Sequence, residues 1–240
     1  MPSTSATSAQ SSDFRGDPVH VDWLPVLQMC AEVALPNFLQ RQRWYPAKDA
    51  GTPVVTISAL LPFAASPVPA VIAVWQVTPP NRSPMKLFVP VALVLGRKAE
   101  PAQVIASYSE DTGREGEEMQ LVEAFSVDEF VRAWVSALLR GGEEASGEEA
   151  SGQIRLRMGR IEQLAGAGLD LTIRRGSAEQ SNTSLRVGDD AILKVIRKLE
   201  IGIHPELEVG QFLTETAGLA ATPSLRAWAE LDSRGSESDI

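Results

Sequence analysis

Residues 177 to 184, Ser-Ala-Glu-Gln-Ser-Asn-Thr-Ser, gather small hydroxyl and amide side chains between two strand-like runs. A turn of this kind lets backbone N–H groups and side-chain donors approach the oxygens of a phosphate chain. Downstream, Lys194 is the lone charge in Ile192-Leu193-Lys194-Val195-Ile196, where burial is costly unless an anion or a carboxylate meets the ammonium. Pro205 suits the first position of a helix and places Glu206 and Glu208 in its opening turns, ahead of an apolar stripe of Val209, Phe212 and Leu213. Polar turn, strand lysine and helix carboxylate together make a cradle for a polyphosphate. A plainer reading stands beside it, in which the turn is an ordinary polar hairpin, Lys194 snorkels at a sheet edge and the glutamates complement the helix dipole. Helix phase alone does not choose between Glu206 and Glu208.

The elements that must position these residues follow from periodicity. Trp23, Leu24, Leu27, Met29, Cys30, Val33 and Ala34 recur at helical spacing, and Pro36 can open a second short helix through Leu39. Three β-type runs, 54–61, 70–77 and 86–95, alternate with Pro-rich turns, and 104–108 extends them into a small antiparallel sheet. Residues 110–118 read as an acidic loop, after which Ser126 or Asp128 caps a helix through Arg140 with Phe130, Val131, Trp134, Leu138 and Leu139 on its apolar face. The pentad Gly-Glu-Glu-Ala-Ser then occurs twice within 141–152, charged and without hydrophobic content, which predicts a linker and a domain boundary. Beyond it, 154–158, 169–174, 183–187 and 191–196 read as strands, 205–216 as a helix and 225–231 as a last strand. The expected organisation is a leader over 1–18, a first unit over 19–140, the linker, a second unit over 153–231 and a frayed tail over 232–240. The fold class is α+β.

Composition narrows the function further. The 240 residues carry 22 Lys and Arg against 31 Asp and Glu, a net charge of −9, which argues against a nucleic-acid partner held by bulk charge. Residues 153–200 run the other way, with nine basic against six acidic side chains. Cys30 is the only cysteine, so no intrachain disulfide forms, and His20 and His204 lie too far apart in sequence to suggest a structural zinc site. The first 18 residues lack the basic and apolar regions of a signal peptide, and Pro53, Pro62, Pro67, Pro69, Pro79 and Pro80 break the uncharged stretch 50–81 into pieces too short to span a bilayer. The expectation is a soluble, cytoplasmic protein with no membrane partner.

The run from Ser177 to Leu213, with Ile192-Leu193-Lys194, Arg197-Lys198-Leu199 and His204-Pro205-Glu206-Leu207-Glu208-Val209, closely resembles bacterial maltokinase. Near the start, Leu35-Pro36-Asn37-Phe38-Leu39 and Gln42-Arg43-Trp44-Tyr45-Pro46-Ala47-Lys48 resemble the signature of that family's N-terminal cap, although the family more often has Phe at the position of Tyr45. The likeness covers residues 21 to 231, most weakly between 50 and 150. It implies a cap built on a small antiparallel sheet with helices, followed by a kinase-like N-lobe with an antiparallel sheet and one αC-type helix. Maltokinases use ATP and Mg to phosphorylate maltose, and the maltose 1-phosphate feeds α-glucan and glycogen synthesis; their core is similar to that of aminoglycoside phosphotransferases. By this resemblance Ser177, Gln180, Ser181, Asn182, Thr183 and Ser184 belong to the phosphate-covering loop, Lys194 contacts the α- and β-phosphates, and Glu208 is its helix partner with Glu206 in reserve. In the cap signature, Trp44 reads more readily as a core anchor and Arg43 as a structural ion pair than as catalytic groups. No His-Gly-Asp tripeptide occurs, so the catalytic aspartate and the metal ligands are expected on a C-lobe absent from this chain. ATP is the expected ligand, maltose only together with a C-lobe, and the expected protein partner is a C-lobe polypeptide or a second copy. A stand-alone binding module and a degenerate remnant are the alternatives.

Overall fold

A computed structural model of the chain describes residues 21–96, 98–108, 118–149, 152–161, 171–175, 182–218 and 222–235. In chain order its elements are helices α1 (Trp23–Glu32) and α2 (Ala34–Arg41), then strands β1 (Val54–Pro62), β2 (Ala70–Thr78), β3 (Met85–Phe88), β4 (Val91–Leu95), β5 (Val104–Tyr108) and β6 (Met119–Glu123). Helix α3 (Asp128–Arg140) follows, then β7 (Gly142–Glu149), β8 (Gly152–Arg160), β9 (Ile173–Arg175), β10 (Thr183–Val187), β11 (Ala191–Val195) and β12 (Lys198–Leu199). Helix α4 (Pro205–Gln211), prolonged by a π-turn over Phe212–Thr216, leads to β13 (Ala227–Gly235). The fold is mixed α+β, with a large antiparallel sheet and four helices among the described residues.

Strand β2 shows how the layers arise. Ala-Val-Ile-Ala-Val-Trp-Gln-Val-Thr is almost unbroken apolar sequence, the pattern of a strand covered on both faces. Ile72 and Val74 join one core with Phe130, Val131, Trp134 and Leu138 of α3. Val71, Ala73 and Trp75 face the opposite core, built with Leu27 of α1 and Leu35, Phe38 and Leu39 of α2. The order β13-β8-β7-β1-β2-β4-β6-β5 carries this sheet across the molecule, with β3 and β12 attached beside β2. A second sheet, β11-β10-β9, lays Leu185, Val187 and Val195 on the α3 side of the large one. Phe125 meets Phe130 edge-on at 5.2 Å and Trp134 at 5.4 Å, so aromatic rings fill the space between sheet and helix.

Four segments depart from the sequence reading. The run 86–95 is two strands, because Pro90 cannot donate to a ladder; its carbonyl accepts from the Ala124 N–H instead. Strand β6 was not expected, since Met-Gln-Leu-Val-Glu holds two polar residues, yet Gln120 and Glu123 are both buried there. The expected linker 141–152 is largely strand. Residues 142–149 form β7, which pairs with β8 and with β1, turning Ala145 into the core. Gly147 makes that approach possible, because a Cβ there would stand 2.2 Å from the Leu60 carbonyl oxygen. The tail also stays paired through Gly235, opposite Gly152. The large sheet therefore crosses the boundary expected at 141–152. Residues 1–18 and the acidic loop up to residue 117 lie outside the described residues, and no described helix is long and apolar enough to cross a membrane.

Candidate functional site

The β10–β11 hairpin turns at Gly188, where φ is +59°. Its register sets Ser184 opposite Lys194 and Arg186 opposite Ile192, so these four residues share one face. The other face, with Leu185, Val187, Leu193 and Val195, packs on the core. Lys194 thereby stands outward, with 41% of its side chain exposed, and its Nζ lies 2.5 Å from both carboxylate oxygens of Glu206. A pair this open to water contributes about 0–1 kcal/mol to stability, so its arrangement has little structural necessity.

Glu206 takes the place first expected of Glu208. Pro205 opens α4, and the His204 ring nitrogen Nδ1 accepts from the Glu206 N–H at 3.3 Å, which fixes the first turn against β11. Residues two apart on a helix point about 200° apart, so Glu208 turns into solvent when Glu206 faces Lys194. The remaining site residues divide. Asn182 and Ser184 are half-buried at the start of β10, whereas Thr183 turns inward. Ser177, Gln180 and Ser181 lie outside the described residues.

Thr183 leads to a residue for which sequence reasoning had no role. Arg197 is 2% exposed and donates from Nε and Nη2 to Thr183 Oγ1, at 2.9 and 2.8 Å. Its Nη1 meets Glu123 Oε1 at 2.9 Å, and Glu123 is equally buried. The guanidinium lies between the rings of Trp44 at 5.1 Å and Phe125 at 5.5 Å. The Arg197 carbonyl accepts from the Phe88 N–H at 2.8 Å, and β12 then pairs with β3. This one side chain ties the end of the Lys194 strand to the large sheet and to the loop after α2. Trp44 is thus a core anchor. The signal in the sequence was a basic residue following an apolar strand, which does not distinguish a buried arginine from a solvated one. Thr183, in turn, is buried and spends its hydroxyl oxygen on Arg197.

Beside the hairpin runs a cleft of about 290 Å³, bordered by β11, α4 and β13 and floored by Phe125, Trp134 and Leu156. Lys194, His204 and Glu206 stand at its rim. Other reactive groups lie elsewhere. Burial pushes the Cys30 thiol up, although a 3.6 Å contact with the Tyr108 hydroxyl opposes the shift, so the thiolate is disfavoured at neutral pH. Burial, helped by the same contact, raises the Tyr108 hydroxyl to about 12. No group of three or more potential metal ligands occurs among the described residues. Compared with models of protein families, the chain matches none.

Proposed function

We propose that this chain forms the cap and the ATP-binding lobe of a maltokinase-like phosphotransferase, and that Lys194 holds the nucleotide phosphates. The observation that carries the reading is the outward-facing Lys194–Glu206 pair on an antiparallel hairpin. A lysine in a strand and a carboxylate in the next helix are the parts by which kinases orient the α- and β-phosphates. Glu206 keeps the ammonium extended over the sheet face, and a lysine has three donors, so phosphate oxygens can bind while the carboxylate stays in place. Ser184, opposite Lys194 on the same face, brings a hydroxyl to that side. Asn182 precedes it where the strand begins.

Magnesium fits less well. No group of three or more potential metal ligands occurs among the described residues, and in this reading its carboxylate ligands belong to a further lobe. The base that activates a sugar hydroxyl, and the sugar site, belong in this reading to a further lobe on the same or another chain. ATP supply makes the cytoplasm the compartment of such an enzyme.

Calorimetric titration of Mg-ATP into the full chain tests the reading. Saturable binding is expected, weakened at least about tenfold by Lys194→Ala, a loss of about 1.4 kcal/mol, less by Glu206→Gln and not by Glu208→Gln. Circular dichroism establishes that each variant is folded. Equal affinity in wild type and Lys194→Ala, or no binding to the wild-type chain, overturns it.

A further inference from the structure

We infer that His204 is the positioning residue of the Lys194–Glu206 pair and holds it only while its ring is neutral. The first N–H groups of a helix have no partner within it. In α4 the residue at that place, Pro205, has no N–H, and the His204 carbonyl accepts from the Leu207 N–H at 2.9 Å and from the Glu208 N–H at 3.1 Å. The Glu206 N–H is met by the His204 ring, whose Nδ1 accepts from it at 3.3 Å. One residue therefore pins the whole first turn, and that turn carries the carboxylate that faces Lys194. A side-chain cap shifts the balance between an ordered and a frayed turn about fivefold. Because α4 has no buried residue, the cap carries a large share of its order.

An imidazole accepts a hydrogen bond at Nδ1 only when its proton sits on Nε2, and an imidazolium has donors at both nitrogens. Protonation thus removes the cap and sets a positive charge beside N–H groups that are themselves the positive end of the helix. The surrounding charges act in the same direction. Lys194 of β11, Glu206 of α4 and Glu230 of β13 line the cleft together with the ring. Glu200, directly after β12, is held below the usual carboxylate range chiefly by Lys198, with a smaller pull from His204. Glu208 stands further along α4 and is exposed. Carboxylates outnumber ammonium groups around the ring, so an imidazolium exchanges the backbone N–H for a carboxylate, and at Glu206 it competes with Lys194. The pair is held above the range in which imidazoles titrate, near about 6.5, and loosened below it. The consequence for ATP rests on the nucleotide reading, whereas the hold on Glu206 does not.

NMR of the full chain tests the hold without nucleotide. Lys194→Met moves the carbon signal of the Glu206 carboxylate to the extent that the two side chains are paired, and the size of that move is compared at about pH 8 and about pH 5.5, on either side of the imidazole range. With His204 in place it should fall at least about twofold at the lower pH. In His204→Asn, whose side-chain oxygen caps without titrating, it should stay at the high-pH value throughout, and in His204→Ala it should be small at both. Circular dichroism establishes that each variant is folded, and the asparagine variant decides the matter if the alanine one is not. Three results overturn the inference: a response with His204 in place that ignores pH, a response in His204→Asn that follows pH as the wild type does, or a full response in folded His204→Ala. Mg-ATP calorimetry on the same proteins is a separate readout. The affinity of wild type relative to His204→Asn should fall at least about twofold between the two pH values, a ratio from which the nucleotide's own protonation cancels. A constant ratio in a chain that binds ATP overturns the consequence for the nucleotide. If no ATP binds, the nucleotide reading fails while the carboxylate signal still decides the inference.

Discussion

At the scale of single residues, Arg197 has the largest expected consequence. Arg197→Met leaves Glu123 buried and unpaired, and breaking one partner of such a pair costs about 3–5 kcal/mol. For a chain of this size that is a fall in Tm of about 10 °C or more by calorimetry. Arg197→Met combined with Glu123→Leu should recover much of the loss, because the uncompensated charge is then gone. Tyr45 should behave oppositely. Its ring is 1% exposed and its hydroxyl has no hydrogen-bond partner among the described residues. Tyr45→Phe is expected to raise stability by about 1 kcal/mol, read as a higher midpoint in urea, and a lower midpoint would mean that the hydroxyl is bonded. Tyr108 gives a pH dependence. Its hydroxyl is raised from 10.0 to about 12 in the folded chain, so the folded state holds the proton more tightly than the unfolded one. The contribution is complete below pH 10 and is lost as the pH climbs from 10 to about 12. Thermal unfolding between pH 8 and 12 should show that alkaline fall, flattened in Tyr108→Phe. Of the candidate site, Lys194 and the presence of a carboxylate partner were legible from residue types alone. The choice of Glu206 was not, because it depends on where α4 starts relative to β11, and neither was the inward turn of Thr183, which depends on Arg197.

At the scale of elements, strong periodicity was readable and disguised strands were not. Helix α3 ends at Arg140 as its apolar stripe requires, and β1 and β2 match their runs to within a residue. Strand β7 escaped because a tract of Gly, Glu, Ala and Ser has the composition of disorder, while its pairing comes from neighbours far away in sequence. Strand β6 escaped for a related reason, since burial of Gln120 and Glu123 is compensated largely by partners distant in sequence, such as the Ala99 N–H and Arg197. Gly147→Ala should therefore be as disruptive as a core substitution. Its methyl meets backbone at 2.2 Å, and overpacking of that kind costs about 1–3 kcal/mol. Gly96→Ala is the comparison, because no atom lies within 4 Å of the added carbon and only its φ of +63° opposes the change. Chemical denaturation of the two variants separates the steric cost from the conformational one.

At the scale of the whole molecule, stability is distributed unevenly. The large sheet is covered by α1 and α2 on one face and by α3 with the small sheet on the other, whereas α4 has no buried residue and exposes Val209 and Phe212. Amides of β2 and α3 should exchange at the slowest rates and those of α4 orders of magnitude faster, as measured by native-state hydrogen exchange. If α4 exchanges as slowly as β2, something beyond the described residues covers it. Composition already pointed to a substantial core, but not to a single sheet running through both halves of the chain, since strand pairing over long separations leaves no local trace.

The duplicated pentad has a consequence for how this chain can change over generations. Its second copy approaches the tip of the β7–β8 hairpin, where Glu149 pairs with Gly152. Tandem repeats gain and lose copies readily during replication. A third copy would only lengthen the hairpin tip, and each doubling of a flexible loop costs about 0.6 kcal/mol. Loss of one copy would shorten β7 by about five residues, and remove with them the stretch where Glu148 and Glu149 pair with β1 and the nearly enclosed Glu149 carboxylate is held by Lys86 and Ser58.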